Sequence, residues 1–434
     1  MNGLSYPNRS VLHSLEPIGV GTPQIESLLS YFFRLAGSHC ISGKDLIRKV
    51  NDKMDWKHSS ADVLSLTSFR LNGVSDLTAR WSHGLSELTG VEQLDKLTLL
   101  SWRDVIAAKG LTAAPSRWCS HCFAQDRTDG RTPYFRLAWD MVDVDVCPTH
   151  QTDLTDVCTD CGRTNIRNNL SYVVPGWCSS CGAFLGDGKG SVSSRSGDLW
   201  KSAQIGAMLA FHSTLQSQPN FITMMQGMRS LIARLDDGNI AAFARRIGLT
   251  LPTVHNWVSR GSRPAVACHL RIASQSGVAL TKLLTGCVVD SPCRPTGAPE
   301  LTTLFPASRK PPTRQTHDAK KITAQLAALN QLEIPISIRE AERRLGIHNS
   351  MLRKYGPEET RIMGARWKQD KERRGIERKE KMRRAIEAAL REILAEGKKP
   401  TWKLIKNRIS MYSFELPLIK EAKAKIESEQ QLST

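Results

Sequence analysis

Four pairs of potential metal ligands, with two residues between the members of each pair, constrain the fold of this chain more than any other feature. They lie between Trp118 and Cys181 and are Cys119/Cys122, Cys147/His150, Cys158/Cys161 and Cys178/Cys181. A Cys-x-x-Cys turn places two thiolates on one side of a tight knuckle, and two such knuckles complete a tetrahedron around zinc. The spacing therefore predicts two structural zinc ions, each held by four side chains.

The four knuckles can be paired in two ways. Sequential pairing gives a three-cysteine, one-histidine site followed by a four-cysteine site. Cross-braced pairing joins the first knuckle to the third and the second to the fourth. Sequential pairing is favoured because each site then closes a shorter loop, which costs less conformational entropy. Gly162 and Gly182 each follow a knuckle, where a residue that tolerates positive φ is useful.

Three other interpretations of the cysteines fit the sequence less well. Paired disulfides need an oxidising compartment, but the chain shows no signal peptide and carries further cysteines such as Cys40, Cys268 and Cys287. A redox dithiol needs one such motif near a βαβ pattern, not four in tandem. A catalytic zinc ion leaves one coordination position open, and two complete ligand sets leave none.

Acidic residues lie between the first two knuckles. Residues 134–146 are predicted to form a strand, because valine and aspartate alternate through residues 142–146. Asp140, Asp143 and Asp145 also invite a two-metal nuclease interpretation. The alternation instead places Asp143 and Asp145 on the solvated face of a half-buried strand. No nucleophile–base pair or nucleotide-binding loop stands out elsewhere, so the sequence predicts a binding protein and not an enzyme.

The N-terminal region is predicted to be helical. After Thr22 and Pro23, which look like a helix cap and a first-turn proline, apolar residues recur at helical spacing from Ile25 to Leu35, with Glu26 in the first turn. Further short amphipathic helices are predicted in the region that follows, as packing elements.

Several short blocks of sequence follow one another between residues 15 and 185. They are Glu26-Ser27-Leu28 with Ser30, Arg34-Leu35-Ala36, Trp118-Cys119-Ser120-His121-Cys122, the run from Pro133 to Trp139, Cys147-Pro148-Thr149-His150 with Leu154, and the run from Cys158 to Gly162. In order, spacing and flanking residues these blocks resemble the TniQ/TnsD family of transposon target-selection proteins. One departure is Ser120, where the family usually has proline. The resemblance implies that residues 1–117 are the helical part of a TniQ-like domain and residues 118–185 a tandem zinc-ribbon module, which together recruit other proteins.

The resemblance also implies a function. Proteins of this family mark an insertion site and recruit the transposon's AAA+ ATPase regulator, which then brings the transposase. In one targeting mode the protein itself reads double-stranded DNA, and in the other it docks on an RNA-guided CRISPR surveillance complex. A zinc-ribbon transcriptional repressor is an alternative of another class.

Residues 198–289 are predicted to form a helix-turn-helix domain centred on residues 240–259. Asn239 caps the first helix, Ala244 lies where the two helices touch, and Gly248 occupies the turn. The second helix presents short polar side chains that can reach base edges in a major groove, and arginines beyond it can contact phosphates. The predicted DNA-binding residues are Thr250, Thr253, His255, Asn256, Ser259, Arg260 and Arg263. A helical hairpin that binds only protein is the alternative.

A proline-rich linker is predicted over residues 290–318, and a basic helical C-terminal domain over residues 319–434. This domain begins with a weaker helix-turn-helix pattern, in which Ser337 caps a helix and Gly346 turns. Glu342 stands where a small residue is expected. The predicted phosphate contacts of this pattern are Arg343, Arg344, Arg353 and Lys354.

The distribution of charge points to the same partner. The chain carries a net charge of +18, and the residues after Glu300 hold 30 Lys and Arg against 17 Asp and Glu, so +13 of that charge lies in the last third. Such an imbalance indicates a polyanionic ligand. A long charged helix predicted from about Glu358 to Glu396 carries many of these residues, either as a solvated face or as a surface for the DNA backbone.

The composition indicates a folded protein without a membrane-spanning segment. Apolar residues make up 40% of the chain, enough for real cores, and no apolar run approaches the roughly 20 residues that span a membrane. The sequence thus predicts a mainly α protein with two small zinc-ribbon modules, located in the bacterial cytoplasm at the nucleoid. Its expected partners are double-stranded DNA, the AAA+ regulator and, indirectly, the transposase, with no membrane. A homodimer and a CRISPR complex stay open as further partners.

Overall fold

The structure is a computed structural model, and it describes residues 10–56, 70–112, 116–164, 173–186, 195–288, 300–306, 318–401, 404–405, 408–409 and 416–431. Within these ranges the chain is mainly helical, which confirms the predicted fold class, and its β-type pairing consists of isolated bridges. No helix in them is both long enough and apolar enough to cross a membrane.

The chain divides into two compact units. Unit 1 contains residues 1–156 and 186–307, and unit 2 contains residues 157–185 and 308–434. The boundary falls inside the segment 118–185, so the three-cysteine, one-histidine set lies in unit 1 and the four-cysteine set lies in unit 2. The two ligand sets, although adjacent in sequence, therefore fold with different segments of the chain.

The N-terminal part of unit 1 is built from short helices. They are α1 (Leu28–Ser38), α2 (Gly43–Lys53), α3 (Asp76–Thr89) and α4 (Ser120–Thr128), with 3₁₀ turns at Arg70–Asn72, Leu94–Leu97, Leu100–Trp102 and Leu137–Asp140. The side chains of Ser27, Ser42 and Ser75 cap the first three helices, each accepting a hydrogen bond from a backbone N–H of the first turn.

Helix α1 begins later than the sequence predicts. The expected cap, Thr22, donates its hydroxyl hydrogen to the Gly19 carbonyl at 2.8 Å and closes a turn. Ser27 is the cap instead, since its Oγ accepts from the backbone N–H of Ser30 at 3.2 Å. Glu26 therefore precedes the helix and does not lie in its first turn.

Aromatic side chains fill the core of this part. Phe32 of α1 and Trp81 of α3 are fully buried and meet edge to face, with ring centroids 6.0 Å apart. Phe123 of α4 makes the same kind of contact with Phe135 and Trp139, at 5.6 and 5.3 Å. These contacts fix α4, which carries the first cysteine pair, against the rest of the unit.

The predicted strand over residues 134–146 is wrong. Leu137–Asp140 form a 3₁₀ turn, and the segment makes only isolated bridges. An alternating pattern becomes a strand only where a neighbouring strand accepts its backbone hydrogen bonds. Asp143 is half-buried, and burial raises its pKa to about 6. Asp145 is partly exposed and pairs with Arg117 at 2.8 Å.

The rest of unit 1 is a set of packed helices. They are α5 (Ser196–Phe211), α6 (Phe221–Asp236), α7 (Ile240–Arg246), α8 (Leu251–Arg260), α9 (Val266–Ser276), α10 (Leu280–Thr285) and α11 (Leu301–Leu304). Helix α11 falls within the predicted linker 290–318, of which residues 290–299 and 307–317 lie outside the described residues.

Two buried histidines join these helices to the N-terminal part of unit 1. The Nε2 of His269 hydrogen-bonds to the Val105 carbonyl at 3.1 Å, and the Nε2 of His212 contacts the Ser101 hydroxyl. Burial lowers the pKa of each histidine to about 4. Both imidazoles are therefore neutral in the folded protein near pH 7.

Unit 2 contains a helical bundle. Its helices are α12 (Ala319–Asn330), α13 (Ile338–Leu345), α14 (Asn349–Tyr355), α15 (Pro357–Ala395) and α16 (Leu416–Gln431). Their N-terminal core contains Ile322, Leu326, Ile336, Ala341, Leu352 and Met363. Helix α15 matches the long charged helix predicted from the sequence, and Lys425 of α16 pairs with its Glu387 at 3.0 Å.

Candidate metal centres and nucleic-acid interface

The first cluster brings Cys119, Cys122, Cys147 and His150 together in unit 1, with their ligand atoms within 4.8 Å of one another. The Nδ1 of His150 lies 3.7, 3.3 and 3.6 Å from the three Sγ atoms, taken in chain order. A tetrahedral ion with Zn–S bonds of about 2.3 Å and a shorter Zn–N bond requires ligand–ligand separations of roughly 3.5–3.8 Å, and the three distances lie within or close to this range. The three cysteines are free thiols.

The second cluster gathers Cys158, Cys161, Cys178 and Cys181 in unit 2. The Sγ atoms of Cys158 and Cys181 are 3.8 Å apart, and those of Cys161 and Cys178 are 3.7 Å apart. A disulfide requires about 2.05 Å, so these thiols are spaced for a metal ion and not for each other. The grouping of both clusters is sequential.

Three of the four knuckles share one backbone pattern. They begin at Cys147, Cys158 and Cys178. In each, the N–H of the first ligand donates to the carbonyl five residues on, and its carbonyl accepts from the N–H four residues on, at 2.8 to 2.9 Å. That fourth residue has a positive φ, which is +61° at Gly162 and +76° at Gly182. The glycines therefore serve the turn for which the sequence predicts them.

A buried ion pair braces the first cluster. Cys119 is the N-cap residue of α4, and Asp126 on the same helix receives two hydrogen bonds from Arg136, at 2.6 and 2.7 Å. Arg136 and Asp126 are 5% and 0% exposed, and the guanidinium stacks over the ring of Tyr134 at 3.8 Å. Sequence reasoning missed this pair, although Arg136 lies in one of the blocks that carry the family resemblance.

Polar contacts surround the second cluster. The hydroxyl of Thr164, just after the first knuckle, donates to Glu340 at 2.9 Å. Arg378 of α15 donates to the carbonyl of Ser179 in the second knuckle at 2.9 Å. Arg163 pairs with Asp370 of α15. The second cluster is thus attached to the helices of unit 2 by charge and hydrogen bonds.

The thiols of each cluster shift one another's pKa in opposite directions. Hydrogen bonding between Cys119 and Cys122 lowers the pKa of Cys119 and raises that of Cys122, and contacts with Cys158 lower the pKa of Cys161 and raise that of Cys178. The thiolate is the form that binds metal ions. The arrangement of the ligand atoms, which lie within 4.8 Å of one another, allows each cluster to hold one metal ion with four protein ligands.

The first helix pair consists of α7 and α8. The Oδ1 of Asn239 accepts from the N–H groups of Ala241 and Ala242, both at 3.0 Å, and so caps α7 as predicted. Ala244 is buried, and Gly248 takes a φ of +65° in the turn. Helix α8 then runs from Leu251 to Arg260. These bounds follow the register that the sequence predicts.

The residues predicted to contact DNA on this pair have different surroundings. The exposed ones are Thr250, His255, Ser259, Arg260 and Arg263, whereas Thr253 and Asn256 are half-buried. The hydroxyls of Thr250 and Thr253 lie 2.9 Å apart. Arg263 donates to the carbonyl of Asp104 at 3.0 Å, so it braces the helix pair within unit 1.

The second helix pair consists of α13 and α14. Ser337 caps α13 by accepting from Glu340 N–H at 3.2 Å, and Gly346 ends the helix in a left-handed conformation, as predicted. Ala341 is the small residue buried in the core. Glu342 is half-buried and accepts a hydrogen bond from Asn349 of α14 at 3.2 Å.

Two of the arginines predicted to bind phosphate on this pair are engaged within it. Arg343 and Arg344 pair with Glu340 at 3.1 and 2.8 Å. Arg353 and Lys354 are exposed on α14. Internal ion pairs of this kind reduce the charge that is available to a ligand, and their i,i+3 and i,i+4 spacing on one helix is the sequence signal that indicates them.

The acidic residues considered for a two-metal site have structural partners. Asp140 accepts a hydrogen bond from the side-chain amide of Asn72 at 2.6 Å, and Asp145 pairs with Arg117. Among the described residues, the clusters of potential metal ligands are the two built from cysteine and histidine.

Comparison with known proteins gives a match for one part of the chain. Residues 17–154 match the family model TniQ. No curated protein matches the chain. The matched range contains the whole first cluster and ends just before unit 2 begins at residue 157. The second cluster lies beyond it.

Proposed function

We propose that this chain, a TniQ-family protein by its match over residues 17–154, is a target-selection adaptor for DNA transposition in the bacterial cytoplasm. It binds double-stranded DNA at the insertion site and recruits the transposon's AAA+ ATPase regulator, which then brings the transposase. The observation that carries the proposal is the family match, whose range encloses the buried first cluster. The chain acts by binding and not by catalysis.

The proposal includes two structural zinc ions. Sulfur and imidazole ligands at tetrahedral spacing suit zinc, and four protein ligands in each cluster leave no open position for a reacting water. When bound, zinc supplies folding energy and no reaction chemistry at these sites. Elemental analysis of the purified protein should find about two zinc ions per chain.

DNA binding is assigned to the first helix pair, with the second pair as a further contact. Helix α8 exposes His255, Ser259 and Arg260, which combine hydrogen-bonding groups for base edges with a cation for phosphate. Arg353 and Lys354 of α14 are exposed cations suited to the DNA backbone. The +13 net charge after Glu300 supports the same role.

An electrophoretic shift assay with the purified protein tests DNA reading. The expected result is submicromolar binding to the transposon's insertion site, and weaker binding to a scrambled duplex at the same salt concentration. His255→Ala should reduce the preference for the site. The matched control combines His83→Ala and Glu87→Ala, two exposed changes on α3. Binding that falls with salt but ignores sequence would favour docking on an RNA-guided CRISPR complex over direct reading.

A second experiment tests recruitment. Immobilised protein on insertion-site DNA should retain the AAA+ regulator encoded beside the transposase, and retention should depend on residues 17–154. Failure to retain the regulator, combined with repression of a promoter at the bound site, would favour a zinc-ribbon repressor. Incubation with magnesium and supercoiled DNA should produce no cleavage, and nicking that survives further purification would contradict an adaptor role.

A further inference from the structure

Arg163 connects the second cluster to helix α15. It follows the first knuckle directly, and its backbone carbonyl accepts from Cys158 N–H at 2.9 Å. Its guanidinium lies 4.0 Å from the ring centroid of Trp367 and forms an ion pair with Asp370. The side chain is 7% exposed. A buried arginine thus spans from the ligand loop to the long helix.

Asp370 serves more than one arginine. Arg374 pairs with it at 3.0 Å and is itself 12% exposed, and Arg373 pairs with it at 2.9 Å from a more exposed position, at 59%. The Nε of Arg163 and the Nη1 of Arg374 are buried without a hydrogen-bond partner among the described residues. Two buried guanidinium groups therefore share one buried carboxylate, which leaves an excess of positive charge.

With a metal ion bound, the four thiolates of the second cluster would supply the missing negative charge. Four thiolates around a divalent cation carry a net charge of −2. A buried charge is stable only where an opposite charge or hydrogen bonds compensate it. The charge on the arginines and the charge on the loaded cluster are complementary in sign.

We propose that Arg163 and Arg374 are the counter-charges of the metal-loaded second cluster, so that metal binding and docking of this ribbon on α15 stabilise each other. The inference rests on metal binding as part of the proposed function. Because binding and docking are linked, a bound metal ion strengthens docking by the same factor by which docking strengthens metal binding.

The linkage extends to the second helix pair. Thr164 of the ribbon donates to Glu340, which also pairs with Arg343 and Arg344 of α13. Arg163 Nη2 lies 3.5 Å from the Pro335 carbonyl, just before α13 begins. Loading of the second cluster therefore orders the part of unit 2 that leads into α13, and loss of the metal releases it.

Cobalt substitution tests the charge role. Cobalt(II) in a four-sulfur site absorbs differently from cobalt(II) in a three-sulfur, one-nitrogen site, so the two clusters are titrated separately against a competing chelator. Arg163→Met and Arg374→Met should each weaken binding at the four-cysteine site by about 10- to 100-fold and leave the other site unchanged. Arg373→Met is the matched control, because it also contacts Asp370 but is largely solvated, and it should change little.

Arg163→Lys tests whether the positive charge of this side chain or the shape of its guanidinium group matters. It keeps the positive charge without the planar fork, so it should retain more cobalt affinity at the four-cysteine site than Arg163→Met. A lysine variant as weak as the methionine variant, with native circular dichroism, would overturn the counter-charge role. Wild-type affinity in both methionine variants would overturn it as well.

Hydrogen exchange tests the reverse direction. Cys178→Ser should reduce amide protection in residues 363–378 of α15 and around Pro335, while helix α1 of unit 1 keeps its protection. Unchanged protection in α15 would overturn the linkage. A wild-type protein with one bound metal ion per chain, held by the first cluster, would overturn both this inference and the metal part of the proposed function. Two ions with unaffected arginine variants would overturn only the inference.

Discussion

Each compact unit of this protein holds one metal cluster and one helix pair, yet the two units support them differently. In unit 1 the first cluster lies beside the aromatic contacts of Phe123 with Phe135 and Trp139. In unit 2 the second cluster is attached through polar partners, among them Asp370 and Glu340. The same ligand spacing therefore serves a cluster inside an apolar core and a cluster held at charged helices.

This difference in support indicates that the second cluster would depend more on a bound metal ion than the first. In the described part of the ribbon, residues 157–164 and 173–185, the buried apolar side chains apart from cysteine are Val173, Pro175 and Leu185. A segment with so little apolar burial cannot offset the entropy of ordering its backbone. A bound metal ion would supply that free energy to the ribbon, whereas the first cluster lies within the apolar core of unit 1.

The largest expected effect follows from removing a ligand of the second cluster. Cys158→Ser should release one of about two zinc ions and the folding free energy tied to it, on the order of 10 kcal/mol for small zinc sites. The yield of soluble protein should fall, and amide protection should be lost in the ribbon before it is lost in unit 1. Elemental analysis and hydrogen exchange measure both. Undiminished metal content would contradict the ligand assignment.

The next effect concerns unit 1 alone. Arg136→Met leaves the buried carboxylate of Asp126 with only the longer contact to Arg131, at 3.8 Å, which should lower the free energy of unfolding of unit 1 by about 3–5 kcal/mol. Chemical denaturation measures it. Arg131→Met is the control, because that arginine is 53% exposed, pairs with Asp129 at 2.6 Å and reaches Asp126 only at 3.8 Å, and its removal should cost at most about 1 kcal/mol. Equal losses from both variants would show that burial does not set the strength of this pair.

Acid should also act on unit 1 through His212 and His269. Burial lowers the pKa of each to about 4 from an ordinary value of 6.5, so the unfolded chain binds more protons between these values. Stability is therefore fully present above about pH 6.5 and falls as the pH drops toward 4, by roughly 3 kcal/mol for each histidine.

The pH dependence of denaturation, compared between wild type and His269→Gln, checks this expectation. The variant should lose stability less steeply between pH 6.5 and pH 4. His83→Gln changes an exposed histidine of α3 and should leave the wild-type slope. An unchanged slope in His269→Gln would mean that this imidazole does not govern the acid response.

The smallest effects should distinguish the two helix pairs. Asn256→Ala on α8 should weaken binding to the insertion site by about 1–3 kcal/mol and leave a scrambled duplex nearly unaffected. Arg353→Ala on α14 should weaken binding to both duplexes alike and reduce the salt slope by about 1. Shift assays at several salt concentrations measure both. If Arg353→Ala reduced the sequence preference and Asn256→Ala did not, the contacts to the bases would be assigned to the second helix pair.

Local spacing was enough to predict much of the architecture. The ligand pairs, the caps at Asn239 and Ser337, and the turn at Gly248 all depend on residues within a few positions of one another. The same local reasoning failed for residues 134–146, because a strand requires a partner that the sequence of the segment does not specify.

The availability of basic residues could not be predicted in the same way. Arg263 has the spacing of a phosphate contact, but Asp104, far away in sequence, accepts its hydrogen bond. Arg344 has a partner one helical turn away in Glu340, and only the fold shows that Glu340 is also held by Thr164. Such contacts depend on which helices meet, and a charge pattern along the chain does not contain that information.

The sequence by itself determined that eight side chains would form two four-ligand clusters and that two helix pairs would follow, because knuckles, caps and turns arise from neighbouring residues. Only the tertiary structure decided that Cys147 and Cys158, so close in the chain, would belong to different units. The physical reason is that the residues that surround each cluster come from distant segments. Aromatic burial together with the Asp126–Arg136 ion pair assembles one set, and the charges of Arg163 and Asp370 assemble the other.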